Sequence, residues 1–258
     1  MRIGIISCVW GRVPLTEIWW RATRRLRWAF VNAGHSAEIF VAGSEIEHRD
    51  LCESNGCQWV EHENEPVGAK WNAVARRALD WAADYIFILG SDDFFSDSLI
   101  AEYVDLPRQR VVHAGLRGVY IYEPESDRLL SLMANQGRFC TKPGDSDLRV
   151  AKKGSKPAVG TGRLVHRSCF DWHETYWEPH KNRALDASLQ KTLRLPPARL
   201  ISLSEGRLAV DVKTGTNIWS FDSLAEVYSG CLLESSDILH SLPEWEAIRS
   251  LAVPQPGR

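Results

Sequence analysis

The sequence predicts an α/β fold: a mostly parallel sheet flanked by helices, with antiparallel additions in the C-terminal half. Three observations carry this expectation. Four apolar strand runs in the first ninety residues are separated by helical patterns, which implies right-handed crossovers between parallel strands. The first of them, Ile3-Gly4-Ile5-Ile6-Ser7-Cys8-Val9, is almost continuously apolar, as a strand covered on both faces should be. Beyond residue 110, strand-like runs at 111–114, 119–122 and 129–133 follow one another without helices between them, the habit of antiparallel neighbours.

After the first strand, Pro14 opens a helix whose apolar positions Leu15, Ile18, Trp19, Ala22, Leu26, Ala29 and Phe30 keep the 3.6-residue period. Gly34 ends it, and Glu38-Ile39-Phe40-Val41-Ala42 makes the second strand. A short helix near 45–55 and a strand at Gln58-Trp59-Val60-Glu61 come next. From Gly68 a helix carries Trp71, Val74, Ala75, Ala78, Leu79 and Ala82 on one stripe. Tyr85-Ile86-Phe87-Ile88-Leu89 then reads as a buried strand that stops at Gly90-Ser91-Asp92-Asp93. Residues 134–160 have little periodicity and read as a long loop, of the length that usually serves function. A helix from about 184 to 195 ends before Pro196-Pro197, short strands fall at 200–203 and 208–212, and a helical tail is expected near 223–233 and 243–251. The whole, 1–258, reads as one domain: a nucleotide-binding half at 1–110, an acceptor and catalytic half at 111–220, and a C-terminal helical elaboration at 221–258.

With 44% hydrophobic and 25% charged residues, the 258-residue chain has the composition of a folded globular protein. Its net charge of −2 speaks against a bulk nucleic-acid binder, although a local basic patch remains compatible with it. No apolar run reaches the ~18–20 residues that span a bilayer. The expectation is a cytoplasmic protein with neither secretory signal nor membrane anchor. The six cysteines have no paired metal spacing and are expected to be reduced thiols. Eleven tryptophans are mostly core, with a few available to line a pocket for sugars or bases.

Chemistry concentrates at Gly90-Ser91-Asp92-Asp93. Two adjacent acids at the carboxyl end of a buried strand lie where open α/β sheets bind ligands. Paired carboxylates there attract a hard divalent cation, which in turn accepts phosphate oxygens. The plainer reading is a helix start capped by Ser96 or Asp97 that Asp92 merely joins. Upstream, Asn64-Glu65-Pro66-Val67-Gly68-Ala69-Lys70-Trp71-Asn72 puts a basic residue and an amide at a helix opening, suited to a diphosphate or nucleoside, or simply a solvated helix start. Asp211-Val212-Lys213 follows a short strand and offers an acid and a cation, for metal or diphosphate, or as ordinary turn chemistry.

Together these segments resemble nucleotide-sugar glycosyltransferases of the GT-A fold, especially family 2, over roughly residues 2–220. That family's strand ends in Asp-x-Asp-Asp; here Gly90 stands at the first Asp. The resemblance implies Asp93 on the metal and Asp92 near metal or ribose, with Asp211 completing the metal set and Mn2+ or Mg2+ as cofactor. It implies donor contacts from Ser7, Gly43, Asn64, Gly68, Lys70, Asn72 and Lys213, with Ser7 and Gly43 at the strand ends flanking base and ribose. Val159-Gly160-Thr161-Gly162-Arg163 resembles the segment lining the donor sugar, so Gly160 and Gly162 join the donor site. Asn182-Arg183-Ala184-Leu185-Asp186 aligns with the family's Glu-Asp-x-x-Leu region and makes Asp186 the candidate general base, or else a helix cap.

The expected function is metal-dependent transfer of a sugar from a nucleotide sugar to an acceptor hydroxyl. The Gly-Ser-Asp-Asp, Gly-Ala-Lys-Trp-Asn and Asp-Val-Lys-Thr segments also resemble glycosyltransferase-like proteins of bacterial viruses, some of which glycosylate hydroxymethylated pyrimidines in DNA. That puts DNA modification in a bacteriophage-infected host cytoplasm first, with a glycan or polysaccharide acceptor as the alternative. Residues 138–156, with six basic residues against two acids, and Arg21, Arg24, Arg25 and Arg27 of the first helix would track DNA phosphates; otherwise the loop closes over the donor. Nucleotidyl transfer and a non-catalytic binding module are the remaining readings. The first of these needs a basic, glycine-rich loop after strand one, for which Cys8-Val9-Trp10-Gly11-Arg12-Val13 is a poor match.

Overall fold

A computed structural model describes residues 1–133, 158–204, 206–215, 220–227, 232–234 and 236–252. The first half alternates as expected: β1 (Arg2–Cys8), α1 (Val13–Asn32), β2 (Ser36–Gly43), α2 (Ile46–Ser54), β3 (Gln58–Glu61), α3 (Val67–Asp80) and β4 (Tyr85–Ile88). Then come β5 (Asp93–Phe95), α4 (Asp97–Val104), β6 (His113–Leu116), β7 (Gly118–Glu123), β8 (Arg128–Met133) and β9 (Arg163–His166). α5 (Leu185–Thr192), β10 (Arg199–Ile201), β11 (Ala209–Val212), α6 (Phe221–Val227), β12 (Leu232–Glu234) and α7 (Trp245–Arg249) complete the described elements.

Among the described residues there are two sheets. The larger runs β10-β6-β9-β4-β1-β2-β3 and is parallel except at β9, which lies antiparallel to both β4 and β6. The smaller runs β12-β8-β7-β11-β5. The fold class read from sequence is the one observed: a mostly parallel sheet between helices, with antiparallel additions.

Alternation along β1 sends Ile3 and Ile5 to the α1 side and Ile6 to the α3 side. On α1, Leu15, Ile18, Trp19, Leu26 and Phe30 are all buried as the periodicity requires. Each such side chain stabilises the fold by roughly 1.5–3 kcal/mol. From β1 the chain moves outward through β2 to β3, then returns through α3 to β4 on the other side of β1. The reversal leaves a crevice beyond the carboxyl ends of β1 and β4, where neighbouring connections diverge to opposite faces.

One expectation needs correction: the helical tail expected through 233 contains a strand, because 232–234 add an edge to β8. β9, which begins at the last residue of the glycine-rich segment, is inserted between β4 and β6, and Leu164 and Val165 are fully buried there.

Candidate functional site

β4 ends in a tight turn closed by Asp93 N–H donating to the Gly90 carbonyl at 3.2 Å, so Ser91 and Asp92 form its tip. The chain then enters β5 and crosses from the large sheet into the small one. There Asp93 pairs directly with Asp211 of β11 in an antiparallel register. Directly opposed residues of such a pair share a face, and like charges so placed repel. Asp92, Asp93 and Asp211 offer one carboxylate oxygen each within 4.8 Å of one another.

Two cations answer these three acids. Arg12 donates to Asp92 at 3.0 Å and to the Ser91 hydroxyl at 2.9 Å. Lys213 lies 2.7 Å from Asp211 and 3.8 Å from Asp92. Burial disfavours the charged form of Asp92, but Arg12 and Lys213 outweigh it and hold its carboxyl below the usual range. Asp93 goes the other way: burial, then repulsion from Asp92 and Asp211, pushes its pKa well up. Burial also carries Asp211 up to about 6 against the pull of Lys213. A proton on Asp93 leaves two carboxylates against two cations, so the cluster balances internally. One Asp211 oxygen, Oδ1, is buried with no hydrogen-bond partner among the described residues. Three oxygen donors, one of them unspent, fit a hard divalent cation.

Gly90 explains the departure from the Asp-x-Asp-Asp pattern. Its N–H donates to Asp93 Oδ2 at 2.6 Å, and a β-carbon there would stand 2.6 Å from that same oxygen and 2.8 Å from Asp92. An acid at 90 has no room while Asp93 folds back on the turn. The Thr161 hydroxyl donates to Asp93 from the other side.

These groups line a cleft of about 890 Å³ that also takes in Trp10, Asn64, Lys70, Gly160 and Asp186. Lys70 is 1% exposed and donates to the Val9 carbonyl at 2.6 Å and to Asn64 at 3.1 Å, tying the end of β1 to the start of α3. Burial pulls its pKa down and pushes the neighbouring Cys8 thiol up to about 12. Asp186 stands over Gly160 so closely that a β-carbon would lie 2.0 Å from its carboxylate. The buried Arg163 guanidinium donates to the carbonyls of Ala158, Val159 and Asp186, locking that segment to the start of α5.

Other expected donor contacts lie away from the cleft, each for a definite reason. Asn72 is buried and spends its amide on Tyr176 N–H, Trp177 N–H and the Trp177 carbonyl. Gly68 packs on the Glu178 carbonyl and donates to Lys181. Both hold the 176–182 segment that leads to Asp186. Ser7 is buried within β1 with a hydroxyl that has no partner among the described residues, and Gly43 abuts the Trp59 ring. Gly162 takes a left-handed φ of 67°, donates to Ile88 and accepts from the Tyr103 hydroxyl.

Arg12 is the residue the motif reading passed over as a contact. Its only sequence signal is a basic residue between the end of a strand and the start of a helix. Of the α1 arginines expected on a basic face, Arg25 is committed to Asp97 and Glu244, and Arg27 to Glu38. The basic residues at 138–156 lie outside the described residues. No described helix is long and apolar enough to cross a membrane.

No protein-family model matches the chain, and no curated protein matches it. Solved structures do. One is a protein of Bacillus anthracis assigned as a glucose-1-phosphate thymidylyltransferase and solved with sucrose. It is 11% identical with a TM-score of 0.50, covering 100% of this chain and 98% of that one. A TarS fragment of S. aureus is 12% identical with a TM-score of 0.49, over 82% of this chain. The chain spans 60% of that fragment's length. A 4-diphosphocytidyl-2C-methyl-D-erythritol synthase of Anaerococcus prevotii is 14% identical with a TM-score of 0.48, over 83% and 91%. At such identities the likeness to the Bacillus anthracis protein shows the fold alone: this chain shares the α/β architecture of that structure.

Proposed function

We propose that the cleft binds a nucleotide together with a divalent cation, Mn2+ or Mg2+, and that the chain is a transferase acting on a nucleotide sugar. The observation that carries this is the strand register that sets Asp93 against Asp211, beside Asp92, with Arg12 and Lys213 on the same rim. When bound, a divalent cation would neutralise charge on the departing diphosphate. Arg12 and Lys213 exchange Asp92 for phosphate oxygens and orient the diphosphate. Asp186, which lines the same cleft beside Gly160, accepts the proton of an acceptor hydroxyl as its oxygen attacks the anomeric carbon. The bond from that carbon to the diphosphate oxygen breaks, and the electron pair leaves on the nucleoside diphosphate.

The test is a thermal melt with Mn2+ and UDP, GDP, CDP or dTDP, separately and together, followed by nucleotide sugars with mass detection of product. Joint stabilisation by cation and nucleotide is the expected outcome; additive or absent shifts across the panel would sink the reading. Nucleotidyl transfer is a second reading, favoured by the place of Arg12 between β1 and α1, where a nucleotide's phosphates would meet it, and by the activity assigned to the Bacillus anthracis protein. Pyrophosphate release from a nucleoside triphosphate and a sugar phosphate would select it. For the acceptor, a hydroxymethylated pyrimidine in viral DNA rests on the family resemblance, and a glycan is the alternative. Transfer to an oligosaccharide, with none to hydroxymethylated DNA, decides for the glycan.

A further inference from the structure

Arg12 and Gly11 both have left-handed backbone angles, with φ of 53° and 57°. For arginine that conformation costs roughly 1 kcal/mol and needs support from its surroundings. The support comes from the first turn of α2 and the residue that precedes it. Glu45 Oε2 accepts the Gly11 N–H at 2.8 Å, and His48 Nε2 lies 2.7 Å from the Gly11 carbonyl. One residue is therefore gripped at both its amide and its carbonyl. His48 is fully buried, and its Nδ1 has no hydrogen-bond partner among the described residues. A carbonyl can only accept, so Nε2 carries the proton, and Glu45 Oε2, 3.3 Å away, fixes the ring further.

Neither Glu45 nor His48 lines the cleft that holds Arg12 and the three acids. Resting on the nucleotide reading above, we infer that Glu45 and His48 are positioning residues: they set the Gly11-Arg12 turn so that the Arg12 guanidinium faces Asp92 and, with ligand present, a nucleoside diphosphate. Without this grip Arg12 relaxes to an ordinary backbone conformation, and its side chain leaves the rim. The two residues thereby act on affinity through Arg12 alone.

The experiment measures nucleoside diphosphate affinity, using UDP, GDP, CDP and dTDP with Mn2+, by titration calorimetry. Variants are His48→Phe, which fills the site without a donor, His48→Gln, which restores an N–H, and Glu45→Ala, each alone and combined with Arg12→Ala. Affinity is expected to fall about tenfold in His48→Phe and Glu45→Ala, the scale typical of residues that orient a binding group, and to recover in His48→Gln. In the Arg12→Ala background the same substitutions should change nothing further, because coupled residues are not additive. An undiminished affinity in both single variants, or an equal loss with and without Arg12, overturns the inference. If His48→Phe does not fold, Glu45→Ala alone carries the comparison. A wild-type protein that binds none of the four diphosphates instead overturns the nucleotide reading itself.

Discussion

Asp93 and Asp211 repel across a strand pair, and the chain keeps both. Replacing Asp93 by Asn retains an acceptor for the Gly90 N–H and the Thr161 hydroxyl but removes the carboxyl group that faces Asp211 and that a cation would take. The variant should melt within about 3 °C of the wild type and lose the cation-dependent shift; a fall of more than about 5 °C would mark Asp93 as structural. Asp211, beside Asp93, contributes to the pH dependence. Its folded pKa, pushed up to about 6 by burial, lies above the unfolded value near 3.8. Its contribution to the cation-free protein is therefore complete below about pH 4 and lost as pH rises through 6. A melt series from pH 4 to 7 should fall more steeply for wild type than for Asp211→Asn. A cation competes for the same oxygens, so Mn2+ affinity should rise with pH across that interval and binding should release protons, seen as buffer-dependent heats at pH 6. Heats that ignore the buffer would mean these acids are not ligands. Asp186→Asn should bind donor normally and turn over roughly 10²–10⁴-fold more slowly. Lost donor affinity with intact turnover would make Asp186 a helix-start residue only.

α3 lines the cleft with Lys70 and also serves it through residues that do not reach it. Its Lys70 reaches the end of β1, while Gly68 and Asn72 face the 176–182 segment instead. Asn72→Ala strips partners from two buried N–H groups and one carbonyl. A cost of about 2–3 kcal/mol is expected, or roughly 4–10 °C in melting temperature. The reduced turnover that accompanies it should come from displacement of Asp186, so cation affinity, measured below the new melting point, should hold. A variant as stable as wild type would show that the segment is held by other contacts, such as Val67 N–H to Asn182. Asn72 was legible in the sequence as a polar residue on a helix, but not the side it faces. Helical periodicity places it at the edge of the apolar stripe and says nothing of a loop more than a hundred residues away.

At the scale of the molecule, the cleft draws on both sheets: β1 and β4 of the larger, β5 and β11 of the smaller. A ligand that bridges them binds only the folded chain. At a hundredfold excess over its dissociation constant it should add about 2.7 kcal/mol, roughly 5–10 °C in the joint melt with Mn2+ and nucleotide. A shift of that size from nucleotide alone would mean that Arg12 and Lys213 suffice and the acids play another part.

By itself the sequence determined the alternation of strands and helices, the buried stripe of α1, and the placing of two acids at the end of β4, because periodicity and strand-end chemistry are local properties. It also picked out Asp211 and Lys213 as an acid and a cation after a strand. Only the tertiary structure decided that Asp211 stands opposite Asp93, since strand register depends on the packing of both sheet faces. Tertiary structure likewise turned Gly68 and Asn72 away from the cleft and brought Arg12 into it. The reason is one of distance along the chain: Arg12 and Asp92 are eighty residues apart, and the crossing of α1 and α3 over opposite faces of one sheet is what makes them neighbours.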